Sequence, residues 1–106
     1  LVEKFENATV SATLNVFFDG RVQSRPIWLA DGVRRSLGVI LPGTYEFGVG
    51  DREEMEITAG SCEVLLPGET EWKPMPAGAV FHLPANSRYS LRCCDVCQYF
   101  CGFFKD

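Results

Sequence analysis

Gly43-Thr44-Tyr45-Glu46-Phe47-Gly48-Val49, then Gly50-Asp51-Arg52, then Glu53-Glu54-Met55-Glu56-Ile57-Thr58-Ala59-Gly60 is the stretch that decides the fold. Tyr45, Phe47 and Val49 alternate with Glu46 and Gly48, the two-residue period of a half-buried strand. A charged loop follows, and the alternation resumes. Glu53, Met55, Ile57 and Ala59 share one face; Glu54, Glu56 and Thr58 share the other. A carboxylate at position 53 therefore stands in register with the apolar residues of its strand. No twelve-residue window of the chain shows a convincing 3.6-residue period.

Outward from that stretch, strand signals continue in both directions. Leu37-Gly38-Val39-Ile40-Leu41 is a short apolar run stopped by Pro42-Gly43. Asn15–Val22 reads as a strand with an Asp19-Gly20 turn inside it, and Ile27-Trp28-Leu29 as a separate short piece. Downstream, Gly60-Ser61 is a tight turn, and Cys62–Leu66 is expected to return as the hairpin partner of the strand before it. Trp72 to Pro76 is a short or edge strand, its pairing limited by Pro74. Val80–Leu83, Tyr89–Cys93 and Val96–Phe104 complete the set. Short strands separated by Gly and Pro turns predict an all-β sandwich or barrel in a single domain, a jelly roll ahead of an immunoglobulin-like arrangement. Residues 1–14 are mixed. Val2, Phe5 and Val10 fit a short amphipathic turn or an extended arm, so 1–14 is expected as an N-terminal arm and 15–106 as the domain.

A chain of 106 residues supports one domain with one core. Its net charge of −4 and scattered basic residues disfavour a nucleic-acid partner, because phosphate contacts need clustered Lys and Arg. No apolar run approaches the ~20 residues that span a bilayer. Five cysteines, Cys62, Cys93, Cys94, Cys97 and Cys101, crowd towards the C-terminus. On strands Cys93, Cys97 and Cys101 share one side and Cys94 takes the other. With His82 the only histidine, a closed zinc site is disfavoured. The cysteines read instead as reduced thiols used as small apolar residues in a cytoplasmic protein.

The spacing from Gly43 to Gly60, with Pro76–Ser87, resembles the two motifs of the cupin fold. Glu53 stands where the first motif has its carboxylate. Phe81 falls where the second has a histidine, and Tyr45 to Val49 occupy the positions that the first fills with His-x-His, just before Glu53, so the metal-binding imidazoles are missing. More closely, Asn15–Ser24, Leu37–Phe47, Glu53–Gly60, Leu65–Gly68, Ala77–Phe81, Pro84–Ser87 and Tyr99-Phe100-Cys101 are similar to the pyrimidine/purine nucleoside phosphorylase family of small cupin-fold proteins. About 90 residues match, with 1–14 outside and 25–33 divergent. The resemblance implies a single-domain cupin jelly-roll β-barrel that forms homodimers. The implied activity is phosphorolysis of purine and pyrimidine nucleosides to free base and ribose 1-phosphate.

That chemistry requires phosphate beside the anomeric carbon, a steadied oxocarbenium and relief of charge on the departing base. Glu53 is the expected catalytic group, able to accept ribose hydroxyls and stabilise positive charge. Arg21, Arg34 and Ser36 are the expected phosphate contacts, with Ser87 in a loop as a further one. Tyr45, Phe81 and Tyr99 could face a base, with Met55 beside Glu53. Phe47 and Phe103 read as core. His82 is incidental, and no nucleophilic triad is credible. No cofactor or metal is expected, phosphate being a co-substrate. The alternatives are a non-catalytic sugar- or nucleotide-binding cupin module and, last, a metal-dependent cupin isomerase or dioxygenase.

Overall fold

The computed structural model describes residues 3–105. In chain order the strands are β1 (Thr9–Val10), β2 (Asn15–Phe17), β3 (Val22–Trp28), β4 (Arg34–Ile40), β5 (Gly43–Val49), β6 (Arg52–Ala59), β7 (Ser61–Leu65), β8 (Lys73–Pro76), β9 (Val80–Leu83), β10 (Ser87–Cys93) and β11 (Cys97–Phe104). A first sheet has the order β1-β3-β4-β11-β6-β9, with β2 also on β3; a second has the order β5-β10-β7-β8. All strand pairs are antiparallel. This is the expected all-β jelly roll in its two-sheet form, the sheets facing one another rather than closing into one barrel.

The alternation read from the sequence fills the space between the sheets. Met55 and Ile57 from β6, Cys62 and Val64 from β7, Tyr89, Leu91 and Cys93 from β10, and Cys97 and Cys101 from β11 are all buried. Successive side chains of a strand point to opposite faces, so each of these four strands turns alternate residues towards this core. Cys94 is exposed, in the bend between β10 and β11 rather than on a strand face. A thiol is small and largely apolar, with only a weak S–H donor, and so fits such a core.

Two elements differ from the sequence reading. Ile27-Trp28-Leu29 is not a separate piece: β3 runs unbroken from Val22 to Trp28 through Pro26. The missing N–H of Pro26 does not interrupt it, while its carbonyl accepts from Ser11 N at 3.0 Å. Nor is β7 the hairpin partner of β6; it pairs with β10 and β8 in the opposite sheet. The chain changes sheets at Gly60, whose φ is +74° and where a Cβ would collide with the Val96 carbonyl. Only glycine makes so tight a corner against another segment's backbone. In the arm, β1 pairs with the end of β3 and the Phe5 ring packs on Phe100 at 4.8 Å. Val2, also expected there, lies outside the described residues.

Candidate active site

The two sheets leave a cavity of about 440 Å³ open at one end. The first sheet lines it with Val22 and Ser24 of β3, Arg34, Ser36 and Ile40 of β4, Glu53 and Met55 of β6, and Tyr99, Cys101 and Phe103 of β11. The second contributes Phe47 and Tyr89, and Asn15, Phe17 and Phe18 form part of the lip. The size suits a small organic ligand.

Glu53 is half-buried on this wall. The same alternation that buries Met55 and Ile57 turns its carboxyl inward. Burial raises its pKa above the usual carboxylate range, and a hydrogen bond from Cys101 opposes that rise. The thiol Sγ lies 3.4 Å from Glu53 Oε1. Cys101 is held firmly as a thiol, because burial and the neighbouring carboxylate both push its own pKa up. Desolvation also raises Tyr99, whose hydroxyl is within reach of Ser24, and Tyr89, where the nearby Glu53 adds to the effect. Arg34 stands at the mouth with its guanidinium 5.0 Å from the Phe103 ring centre, and it forms no salt bridge among the described residues. Its positive charge favours the anionic form of Cys101, which places it electrostatically near that thiol. A carboxylate and an arginine that do not neutralise each other thus share one cavity.

Of the residues singled out from the sequence, Glu53, Arg34, Ser36, Met55 and Tyr99 are brought together here. Arg21, Tyr45, Phe81 and Ser87 are not among the lining residues. Arg21 donates to Pro42 O at 2.6 Å and to Tyr45 Oη at 3.3 Å, while Tyr45 Oη donates to Leu41 O at 2.7 Å. Arg21 and Tyr45 together tie down the turn between β4 and β5. Phe81 is buried beneath Tyr89, 6.4 Å between ring centres. Ser87 Oγ donates to Pro84 O at 2.6 Å in a turn. His82 is exposed beside Glu54, its Nδ1 3.8 Å from Oε2. Phe47 and Phe103, read as core, pack against the core and also line the cavity.

Ser24, Tyr89, Cys101 and Phe18 were not singled out as site residues. Alternation along β10 and β11 already marks Tyr89 and Cys101 as inward-facing, but inward-facing residues are usually core. Ser24 and Phe18 carry no such signal. Among the described residues no group of three His, Cys, Asp or Glu side chains is arranged to hold a metal ion, and no helix is long and apolar enough to cross a membrane.

Comparison with known proteins adds a second line of evidence. Residues 12–103 match the model of the family described as pyrimidine/purine nucleoside phosphorylase. A protein of that name from Hydrogenovibrio crunogenus is 46% identical over 102 residues, covering 96% of this chain and 98% of the relative. An alignment of that length reaches into residues 1–14, which the sequence reading had placed outside the resemblance. A crystal structure of a protein of unknown function from Acinetobacter sp. ADP1 superposes with a TM-score of 0.92 at 34% identity, covering 95% of this chain and 98% of that one. The Clostridium difficile EutQ protein shares the fold alone, with a TM-score of 0.68 at 12% identity over 92% of this chain and 82% of that one.

Proposed function

The chain belongs to the pyrimidine/purine nucleoside phosphorylase family, and on that premise we propose that its cavity carries out phosphorolysis of nucleosides. An oxygen of hydrogen phosphate attacks the anomeric carbon as the C–N bond breaks; the bonding pair leaves with the base, which takes up the proton that the phosphate gives up. The products are free base and ribose 1-phosphate. The observation that carries this reading is the pair of uncompensated charges on the cavity wall. Arg34, with no acidic partner among the described residues, suits an incoming phosphate dianion. Glu53 suits the other end of the displacement, where ionised carboxylate can accept ribose hydroxyls and steady the developing oxocarbenium.

The remaining polar groups fit subordinate roles in the same scheme. Ser36, buried at 3% exposure on the same strand as Arg34, offers a hydroxyl to phosphate or sugar. Tyr99 and Ser24 offer further hydroxyls from adjoining parts of the wall. Phosphate is the co-substrate, and the reading needs neither an organic cofactor nor a metal. It includes a homodimer, supported by the exposed apolar side chains of Val10, Leu14, Val16 and Phe17 around β1 and β2. It includes a cytoplasmic setting, supported by the use of Cys62, Cys93, Cys97 and Cys101 as core packing.

The test is incubation of purified protein with uridine or adenosine, with and without phosphate, following free base and ribose 1-phosphate. Phosphate-dependent appearance of both products is expected. Turnover indifferent to phosphate would make it a hydrolase. Saturable binding without product would make it a sugar- or nucleotide-binding module.

A further inference from the structure

We infer that the Phe18 ring, set perpendicular to Phe47 at the cavity mouth, is the surface on which the nucleobase of the substrate stacks. This rests on the phosphorylase reading and assigns the part of the ligand that Glu53 and Arg34 leave unattended. Ser24, Ser36, Glu53 and Cys101 all stand on the first sheet, so that wall suits ribose and phosphate. Facing it are Phe47 of the second sheet and Phe18 of the turn between β2 and β3.

The backbone at Phe18 is the reason to single it out. Phe18 has φ 51° and Asp19 φ 55°, two consecutive non-glycine residues in the left-handed region, ahead of Gly20 at φ 88°. A bulky side chain is disfavoured there, whereas Asn, Asp or Gly adopts this backbone at lower cost. Such a conformation persists only where its surroundings over-determine it. Here Arg21 N donates to Phe18 O at 3.1 Å, and Gln23 Nε2 donates to Gly20 O at 3.0 Å. The ring packs 5.1 Å from Tyr45 and 5.6 Å from Phe47, centre to centre.

Turn chemistry does not account for phenylalanine at this position, since it would choose another residue. Packing on Tyr45 and Phe47 covers part of the ring, yet the residue remains 44% exposed, so part of its surface is left open at the cavity. The cost becomes intelligible if the ring has a partner when the cavity is filled. Phe18 and Phe47 meet at an interplanar angle of 86°. A planar heterocycle laid on one ring points its edge at the face of the other, both favourable aromatic geometries. Stacking of this kind is indifferent to base identity, since every base offers a π-face. Accepting purines and pyrimidines alike is then a property of the corner.

The experiment compares wild type with Phe18→Asn, which tolerates the left-handed turn but lacks the ring, and Phe18→Tyr, which keeps it. Binding of adenosine and of uridine is measured by calorimetry without phosphate, and phosphorolysis kinetics follow. Phe18→Asn is expected to weaken both nucleosides about tenfold or more, with the KM for phosphate within about twofold of wild type. Phe18→Tyr is expected to bind as wild type does. Melting curves accompany each variant; should Phe18→Asn not fold, Phe18→Leu keeps the apolar bulk without the π-face and should show the same loss. Unchanged binding in a folded Asn or Leu variant overturns the inference and leaves phosphorolysis standing. Lost binding in a variant of a protein that never turns over sustains the stacking surface and removes the phosphorylase reading. A wild type that binds neither nucleoside removes both.

Discussion

Gly38 and Tyr99 face each other across the β4–β11 ladder, and the Tyr99 ring occupies the space that a β-carbon on Gly38 would need. Gly38 is not in a left-handed conformation, so the restriction is purely steric. The absence of a side chain at 38 lets a tyrosine of the neighbouring strand lie across the sheet, with its hydroxyl close to Ser24 on the next strand. Gly38→Ala should displace the ring. Overpacking of this sort costs about 1–3 kcal/mol, so the melting temperature should fall and turnover should fall with it. An unaltered melting curve would show that Tyr99 moves aside freely.

Glu53→Gln keeps the size of the side chain and removes its charge. Turnover should drop on the order of 10²-fold or more, as when a preorganised transition-state contact is lost. Stability should move the other way. Because burial raises the Glu53 pKa above 4.5, the unfolded chain releases this proton first as pH rises. The native state is penalised progressively from about that pH to the raised value, and the penalty is constant beyond. Relative to wild type, Glu53→Gln should therefore gain stability at neutral pH, a gain that shrinks towards pH 4.5. Paired thermal melts across that range test the sign; a variant less stable at neutral pH than at acid pH, relative to wild type, contradicts it.

Cys101 should act through Glu53. Its thiol donates to the ionised carboxylate and so opposes the effect of burial. Cys101→Ala should shift the acid limb of the kcat/KM profile to higher pH, and Cys101→Ser, which restores a donor, should bring it back. Identical pH profiles for the alanine and wild-type proteins would reduce Cys101 to packing.

Arg34→Ala should raise the apparent KM for phosphate about tenfold or more, the scale of a lost charge-assisted contact, and leave the KM for nucleoside nearly unchanged. The guanidinium lies against Phe103 at the mouth and has no salt bridge among the described residues, so the fold should not suffer. An unaltered phosphate KM would take Arg34 out of the site.

Much of this site is legible in sequence because strands write their facing into a two-residue period. Glu53, Met55 and Ile57 can be placed on one inward face without any knowledge of what lies opposite, and Cys97 and Cys101 fall on one face by the same count. Arg21 and Arg34 show where that reading stops. Arg21 lies in a segment that resembles the family and Arg34 beside one, yet the first knots a turn by bonding Pro42 and Tyr45 while the other stands at the cavity mouth. Nothing within a few residues of either distinguishes them.

Alternation and turn residues in the chain were sufficient for the all-β fold and the inward carboxylate, and resemblance of its segments to known sequences was sufficient for the family. They could not say which strands confront one another. Gly60 was recognisable as a turn, but only the fold shows that it delivers the next strand to the opposite sheet, at a corner so close to the Val96 carbonyl that no β-carbon fits. In sequence Phe18 is one more apolar residue of the Asn15–Val22 strand, just ahead of its Asp19-Gly20 turn; only the fold sets it in a left-handed turn against Tyr45 and Phe47 beside the cavity. The division has one physical cause. The face a side chain takes is set by its own strand's pleat, whereas a cavity exists only between strands far apart in the chain, through contacts no local pattern contains.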